Sequence, residues 1–113
     1  MSDTTHKAYR LFMEKIAPRL SGGISVREYP WPLSRILLFY RDIRGNEFQR
    51  QAYEWRSPGA FLFGSVEDMS IFDIAADLAE SSGDENRRKD AEEILKYSCS
   101  SAEELTLRLE VEG

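Results

Sequence analysis

The chain has 113 residues, 42% hydrophobic and 31% charged, with a formal net charge of −5. Those proportions exclude a disordered or low-complexity chain and suffice for one domain, residues 1–113, with its own core. A lone cysteine, Cys99, excludes an intrachain disulfide and points to a reducing compartment.

The charge is uneven along the chain. Residues 27–64 carry six basic residues, all arginine, against four acidic ones, whereas residues 65–113 carry five basic against fourteen acidic. Nine of the thirteen aromatic residues fall between Ile24 and Phe63, which marks that stretch as the expected core sheet.

Tyr9, Phe12, Met13, Ile16 and Leu20 recur at i, i+3, i+4, i+7 and i+11, which predicts a helix over 5–17. Asp3 or Thr4 can cap its first turn, and Pro18 should end or kink it. Ser21-Gly22-Gly23 then breaks the chain. Ile24 to Tyr29 reads as a strand, and Pro30-Trp31-Pro32 as a stiff connector or edge. Residues 35–43 form a continuous apolar strand pattern in which both faces would be covered. Arg44-Gly45-Asn46-Glu47 reads as a turn. Residues 48–56 fit a strand or a helix, and a hairpin is favoured because Gly45-Asn46 lies between two aromatic-bearing runs. Ser57-Pro58-Gly59 predicts another turn, and 60–63 a short strand.

From residue 70 the period becomes helical. Ser70 with Asp73 resembles a capping pair, and Ile71, Ile74, Ala75, Leu78 and Ala79 make one stripe. Ile71, Ile74, Leu78 and Leu38 are expected core residues. Ser81-Ser82-Gly83 ends this helix and Asp84 starts the next, which should be largely exposed because only Ala91, Ile94, Leu95 and Tyr97 are apolar. Leu105, Leu107, Leu109 and Val111 alternate with polar residues, which favours a strand over 105–111; the rival is a last helix capped by Ser101 with Glu104. The expected fold is α+β: an N-terminal helix, a mostly antiparallel sheet of three to five strands, two acidic helices and the C-terminal strand.

No catalytic, metal, phosphate or nucleic-acid motif stands out. His6 and Cys99 are far apart in sequence and read as an exposed histidine and a buried thiol. Asp73, Asp77 and Glu80 form a carboxylate stripe at i, i+4 and i+7 that could ligate a hard cation or hold a catalytic pair. They lie opposite the apolar stripe, so a polar surface is the simpler reading, as it is for Glu92, Glu93, Glu103 and Glu104. Ser21-Gly22-Gly23 lacks the spacing of a phosphate loop.

Arg35, Arg41, Arg44, Arg50 and Arg56 interleave with Tyr40, Tyr53 and Trp55. That mixture suits sheet packing, a protein interface or base stacking with phosphate pairing. The candidate partner-binding residues are therefore Trp31, Arg35, Arg41, Arg50, Tyr53, Trp55 and Arg56, and the candidate acidic face is Asp73, Asp77, Glu80, Glu92 and Glu93. Together these features favour a non-enzymatic protein-binding module of inhibitor, adaptor or small-chaperone type, whose acidic helices could imitate nucleic-acid charge. A nucleic-acid binder using the Arg/aromatic sheet is the alternative, and a small carboxylate-dependent enzyme the third. The expected partner is another protein, with self-association open and nucleic acid second. No cofactor, metal or membrane is expected: the longest apolar run, Ile36 to Tyr40, is far short of a span of roughly 20 residues. No signal peptide is expected either, because the N-terminus carries Asp3, Lys7 and Arg10 and no apolar run, so the expected location is cytoplasmic.

Overall fold

The structure, a computed structural model, describes residues 3–20, 22–30, 34–40, 51–81 and 83–112. Helix α1 (Asp3–Leu11) continues into a wide π turn (Phe12–Ile16) and a 3-10 turn (Ala17–Arg19). The Ala17 N–H reaches back to the Phe12 carbonyl, five residues earlier. Pro18 explains the change of pitch: it has no N–H for the Glu14 carbonyl, and its ring would crowd that carbonyl in a regular helix. The opened turn still buries Tyr9, Phe12 and Ile16 on the face the sequence predicts.

Strands β1 (Ile24–Tyr29), β2 (Arg35–Tyr40) and β3 (Tyr53–Trp55) form an antiparallel sheet in the order β1-β2-β3. Val26, Leu38 and Tyr53 lie across from one another, as do Glu28, Ile36 and Trp55. This face meets the helices through Ile24, Val26, Ile36, Leu38 and Trp55, all buried. The other face holds Ser25, Leu37 and Phe39, also buried, with the Arg27 guanidinium 5.6 Å from the Phe39 ring centre. A continuous apolar run is what a strand covered on both faces requires.

The expected strand at 60–63 is a helix instead, α2 (Pro58–Phe63). The Ser57 hydroxyl accepts the Ala60 N–H at 3.1 Å, and Pro58 occupies the first helical turn, where its missing donor costs nothing. Gly64, with φ 77°, closes the helix in a conformation other residues rarely adopt. Serine, proline and glycine were turn signals in the sequence; here they start and stop one short helix.

Helix α3 (Ile71–Ser81) opens with the reciprocal pair the sequence suggests. Asp73 N–H donates to the Ser70 hydroxyl at 3.1 Å, and Ser70 N–H to the Asp73 carboxylate at 3.3 Å. Ile71, Phe72, Ile74 and Ala75 are buried, while Leu78 and Ala79 are half-buried at the margin. Helix α4 (Glu85–Leu95) is capped by Asp84, whose carboxylate accepts from the N–H groups of Asn86 and Arg87.

The last element corrects a second expectation: residues 105–111 lie within helix α5 (Ala102–Glu112), not a strand. The Ser101 hydroxyl accepts the Glu104 N–H at 3.1 Å, as the rival reading required. Leu105 and Leu109, one turn apart, are fully buried in the core. Lys7–Glu110 (3.0 Å) and Lys15 to the Leu109 carbonyl (2.7 Å) bind α5 to the N-terminal helical segment.

Phe61 lies at the aromatic centre of the core, edge-on to Trp55 and Phe12 at 5.1 Å each and to Tyr9 at 5.7 Å. Such pairs add about 0.5–1.5 kcal/mol each beyond the area they bury.

Candidate protein-binding surface

The structure separates the residues the sequence groups together. Trp55 is corrected from surface anchor to core: it is 1% exposed, and its indole N–H donates to the Met69 carbonyl at 2.7 Å. A three-residue strand ending on the helix-facing side of the sheet puts that side chain inside. Tyr53, two residues earlier on the same face, stacks on it at 6.2 Å and remains exposed at the sheet margin. Trp31, Arg41, Arg44 and Arg50 lie outside the described residues.

Arg35 and Arg56 converge on one carboxylate. Arg35 Nε donates to Glu54 Oε2 at 2.7 Å and Nη2 to Oε1 at 3.2 Å, a two-pronged pairing, while Arg56 Nη2 lies 3.3 Å from Oε2. Gln51 adds a hydrogen bond to Oε1 at 3.2 Å. The hydrogen bonds from Arg35 and then Gln51, helped by the Arg35 and Arg56 charges and opposed by burial, draw the Glu54 carboxyl down to about 2. This part of the sheet surface is thus internally paired, with one positive charge in excess.

Asp73, Asp77, Glu80 and Glu92 are exposed, Asp73 also serving in the α3 cap. Glu93 is different: it is half-buried, with Lys96 at 2.8 Å and Arg19 at 3.4 Å. The hydrogen bond from Lys96 first, and Arg19 further down, hold its carboxyl below the usual range against the effect of burial. Among the described residues no group of three or more His, Cys, Asp or Glu side chains is arranged to hold a metal ion. None of the described helices is long and apolar enough to cross a membrane.

His6 and Cys99 occupy different places. His6 lines a cleft beside Arg10 and Arg56. Cys99 sits between α4 and α5, where burial raises its thiol pKa and its Sγ is 3.6 Å from the Ser101 carbonyl. A thiol raised in this way is a poor nucleophile near neutrality.

The surface feature missed by the sequence reading is on α5. At about 100° per residue, Leu105 and Leu109 share one side of the helix and Leu107 and Val111 the opposite side. The first pair is buried; Leu107 is 63% and Val111 86% exposed. With Lys96, Tyr97 and Arg108 they line a shallow groove of about 410 Å3. Both of its cations are paired nearby, Lys96 with Glu93 and Arg108 with Glu104 at 2.9 Å and with the Ser98 carbonyl at 3.3 Å. The signal was the alternation itself: threaded on a helix, it becomes two opposed apolar stripes where one core contact needs only one. In comparisons with protein-family models, curated proteins and solved structures, the chain matches none of them.

Proposed function

We propose that the chain is a non-enzymatic protein-binding module of inhibitor, adaptor or small-chaperone type, working in the cytoplasm. The observation that carries this reading is the second apolar stripe of α5. A helix that packs on one side and still presents leucine and valine to water on the other is built for a second contact. The groove favours the apolar face of a partner helix with acidic flanks: Tyr97, Leu107 and Val111 line it together with Lys96 and Arg108. Exposed ion pairs such as Arg108–Glu104 are worth about 0–1 kcal/mol, so either cation can turn to a partner carboxylate at small cost.

Protein is favoured over nucleic acid because the two-pronged contact with Glu54 already engages Arg35. The exposed carboxylates of Asp73, Asp77 and Glu80 support a variant in which acidic helices take the place of a nucleic acid on a basic partner groove. Competition by heparin would single out that variant.

The test is a titration with a labelled amphipathic helical peptide carrying a leucine face and glutamate flanks. Saturable binding is expected, at least tenfold weaker for Leu107→Ser/Val111→Ser and weaker again for Arg108→Ala, with thermal midpoints unchanged. Equal binding by parent and double variant would overturn the reading. A parent that forms a dimer abolished by the same double variant would replace the partner helix with a second copy of this chain.

A further inference from the structure

A second concave site lies elsewhere and shares no lining residue with the α5 groove. It is a cleft of about 120 Å3 that draws His6 and Arg10 from α1, Ser34 from just before β2 and Arg56 from just after β3. His6 and Arg10 are one turn apart and share a face of α1. The space holds about four waters at roughly 30 Å3 each, which is room for one tetrahedral oxyanion.

The groups around it divide into those already engaged and those with donors to spare. The Glu28 carboxylate is engaged: Arg10 Nη1 donates to it at 3.3 Å, and the buried Tyr9 hydroxyl bonds to it as well. The Ser57 hydroxyl is taken by the cap of α2. Arg56 differs. Its Nη2 lies 3.3 Å from Glu54 Oε2, an oxygen that Arg35 Nε already holds at 2.7 Å. Two guanidinium groups thus share one carboxylate, and Arg56 is the weaker claimant, on a side chain 67% exposed. Among the described residues, neither the His6 imidazole nor the Ser34 hydroxyl makes a hydrogen bond or an ion pair. One guanidinium in excess of its counter-ion, one imidazole and one hydroxyl therefore border the same cleft from three separate segments. Ile36 and Pro58 supply the apolar part of its wall.

Donor count and charge point to the class of ligand. With Glu28 offset by Arg10, the balance of the lining is positive. A carboxylate offers two oxygens and a phosphate diester two terminal ones, whereas a phosphate monoester offers three, with a charge of about −1.5 to −2 near neutrality. We propose that this cleft binds the phosphate group of a monoester, whose three terminal oxygens accept from Arg56, His6 and Ser34 while its alkyl carbon rests on Ile36 and Pro58. The guanidinium fork matches phosphate geometry, and releasing Glu54 costs Arg56 little because Arg35 keeps both carboxylate oxygens.

The experiment is a two-dimensional NMR titration of the full chain with methyl phosphate at constant ionic strength. Dimethyl phosphate, acetate and a blocked phosphoserine serve as the other arms. Methyl phosphate should give saturable shifts at the amides of His6, Arg10, Ser34 and Arg56, with dimethyl phosphate and acetate at least tenfold weaker. Arg56→Gln and His6→Ala, both at exposed positions, should each weaken methyl phosphate at least tenfold with the thermal midpoint unchanged. Blocked phosphoserine binding more tightly than methyl phosphate would assign the site to a phosphorylated side chain of a partner; equal or weaker binding would assign it to a free small ester. Absence of saturable shifts, equal affinity for methyl phosphate and dimethyl phosphate, a preference for acetate, or parental affinity in Arg56→Gln would overturn the proposal. None of these readouts involves the α5 groove, so Leu107→Ser/Val111→Ser should bind methyl phosphate as the parent does.

Discussion

Glu54 shows how one side chain can reassign its neighbours. Its paired contacts with Arg35, and the further ones with Arg56 and Gln51, turn residues that read as a cationic surface into a paired network with one positive charge in excess. The pairing also has a pH signature. Glu54 is drawn down to about 2 in the fold, so between its ordinary range and that value the unfolded chain binds a proton that the folded chain does not. The contribution is complete above the ordinary carboxylate range and is lost as pH falls through about 2. Urea unfolding of the parent and Glu54→Gln should therefore show the variant less stable at neutral pH and the two converging from roughly pH 5 down to 2. A stability gap that stayed constant over that window would mean that the network does not act through the carboxylate's charge.

At the level of single elements, α2 and α5 carry the same lesson. The residues of α5 gave two readings, strand or capped helix, and those of α2 only a turn and a short strand; helix caps together with core contacts made both segments helical. For α5 the choice can be tested by truncation. Leu109 is fully buried, so Leu109→Ala should cost about 2–5 kcal/mol. Leu107, 63% exposed, should change stability by no more than about 0.5 kcal/mol when cut to alanine. Chemical denaturation of the two variants gives the answer directly. Similar costs at both positions would be the mark of four apolar residues on one strand face, and would contradict the helix.

On the scale of the whole molecule, the joint between the sheet and α4 matters most. The N–H groups of Gly22, Gly23 and Ile24 donate to one Asp90 oxygen at 3.0, 2.7 and 2.9 Å. The glycines do not cradle a phosphate; the anion in this turn is a carboxylate of the chain itself, 5% exposed within α4. The turn is also pressed against the start of α4, since a Cβ on Gly23 would lie 2.4 Å from the Arg87 backbone nitrogen. Asp90→Ala leaves donors of Gly23 and Ile24 buried and unpaired, at about 1–3 kcal/mol each. It should lower stability by at least about 2 kcal/mol and speed amide exchange at both residues. Gly23→Ala should cost about 1–3 kcal/mol through overpacking against backbone that has little room to yield. If Asp90→Ala unfolds at the parental midpoint, the sheet and the α3–α4 pair are held together by apolar contacts alone.

Periodicity and local chemistry by themselves determined the α+β class, the N-terminal helix, β1, β2, and the start of α3 at its Ser70–Asp73 pair. Each of these depends on residues within a few positions of one another, so the information is local and the sequence displays it. Tertiary structure alone decided the remainder. Leu105–Val111 alternates equally well for a strand or for two stripes of a helix, and only burial of Leu105 and Leu109 in the core distinguishes them. Trp55 reads as an interface residue by type, yet a long-range bond to the Met69 carbonyl and packing on Phe61 place it inside. Asp90 reads as one more charge on an acidic helix, and its partners lie 66 to 68 residues away. The cleft around Tyr9 draws on α1, two strands and the entry to α2, four segments that no sequence spacing brings together. Burial and long-range hydrogen bonding are properties of the assembled chain, and they decided which of its ambiguous residues became core, joint and surface.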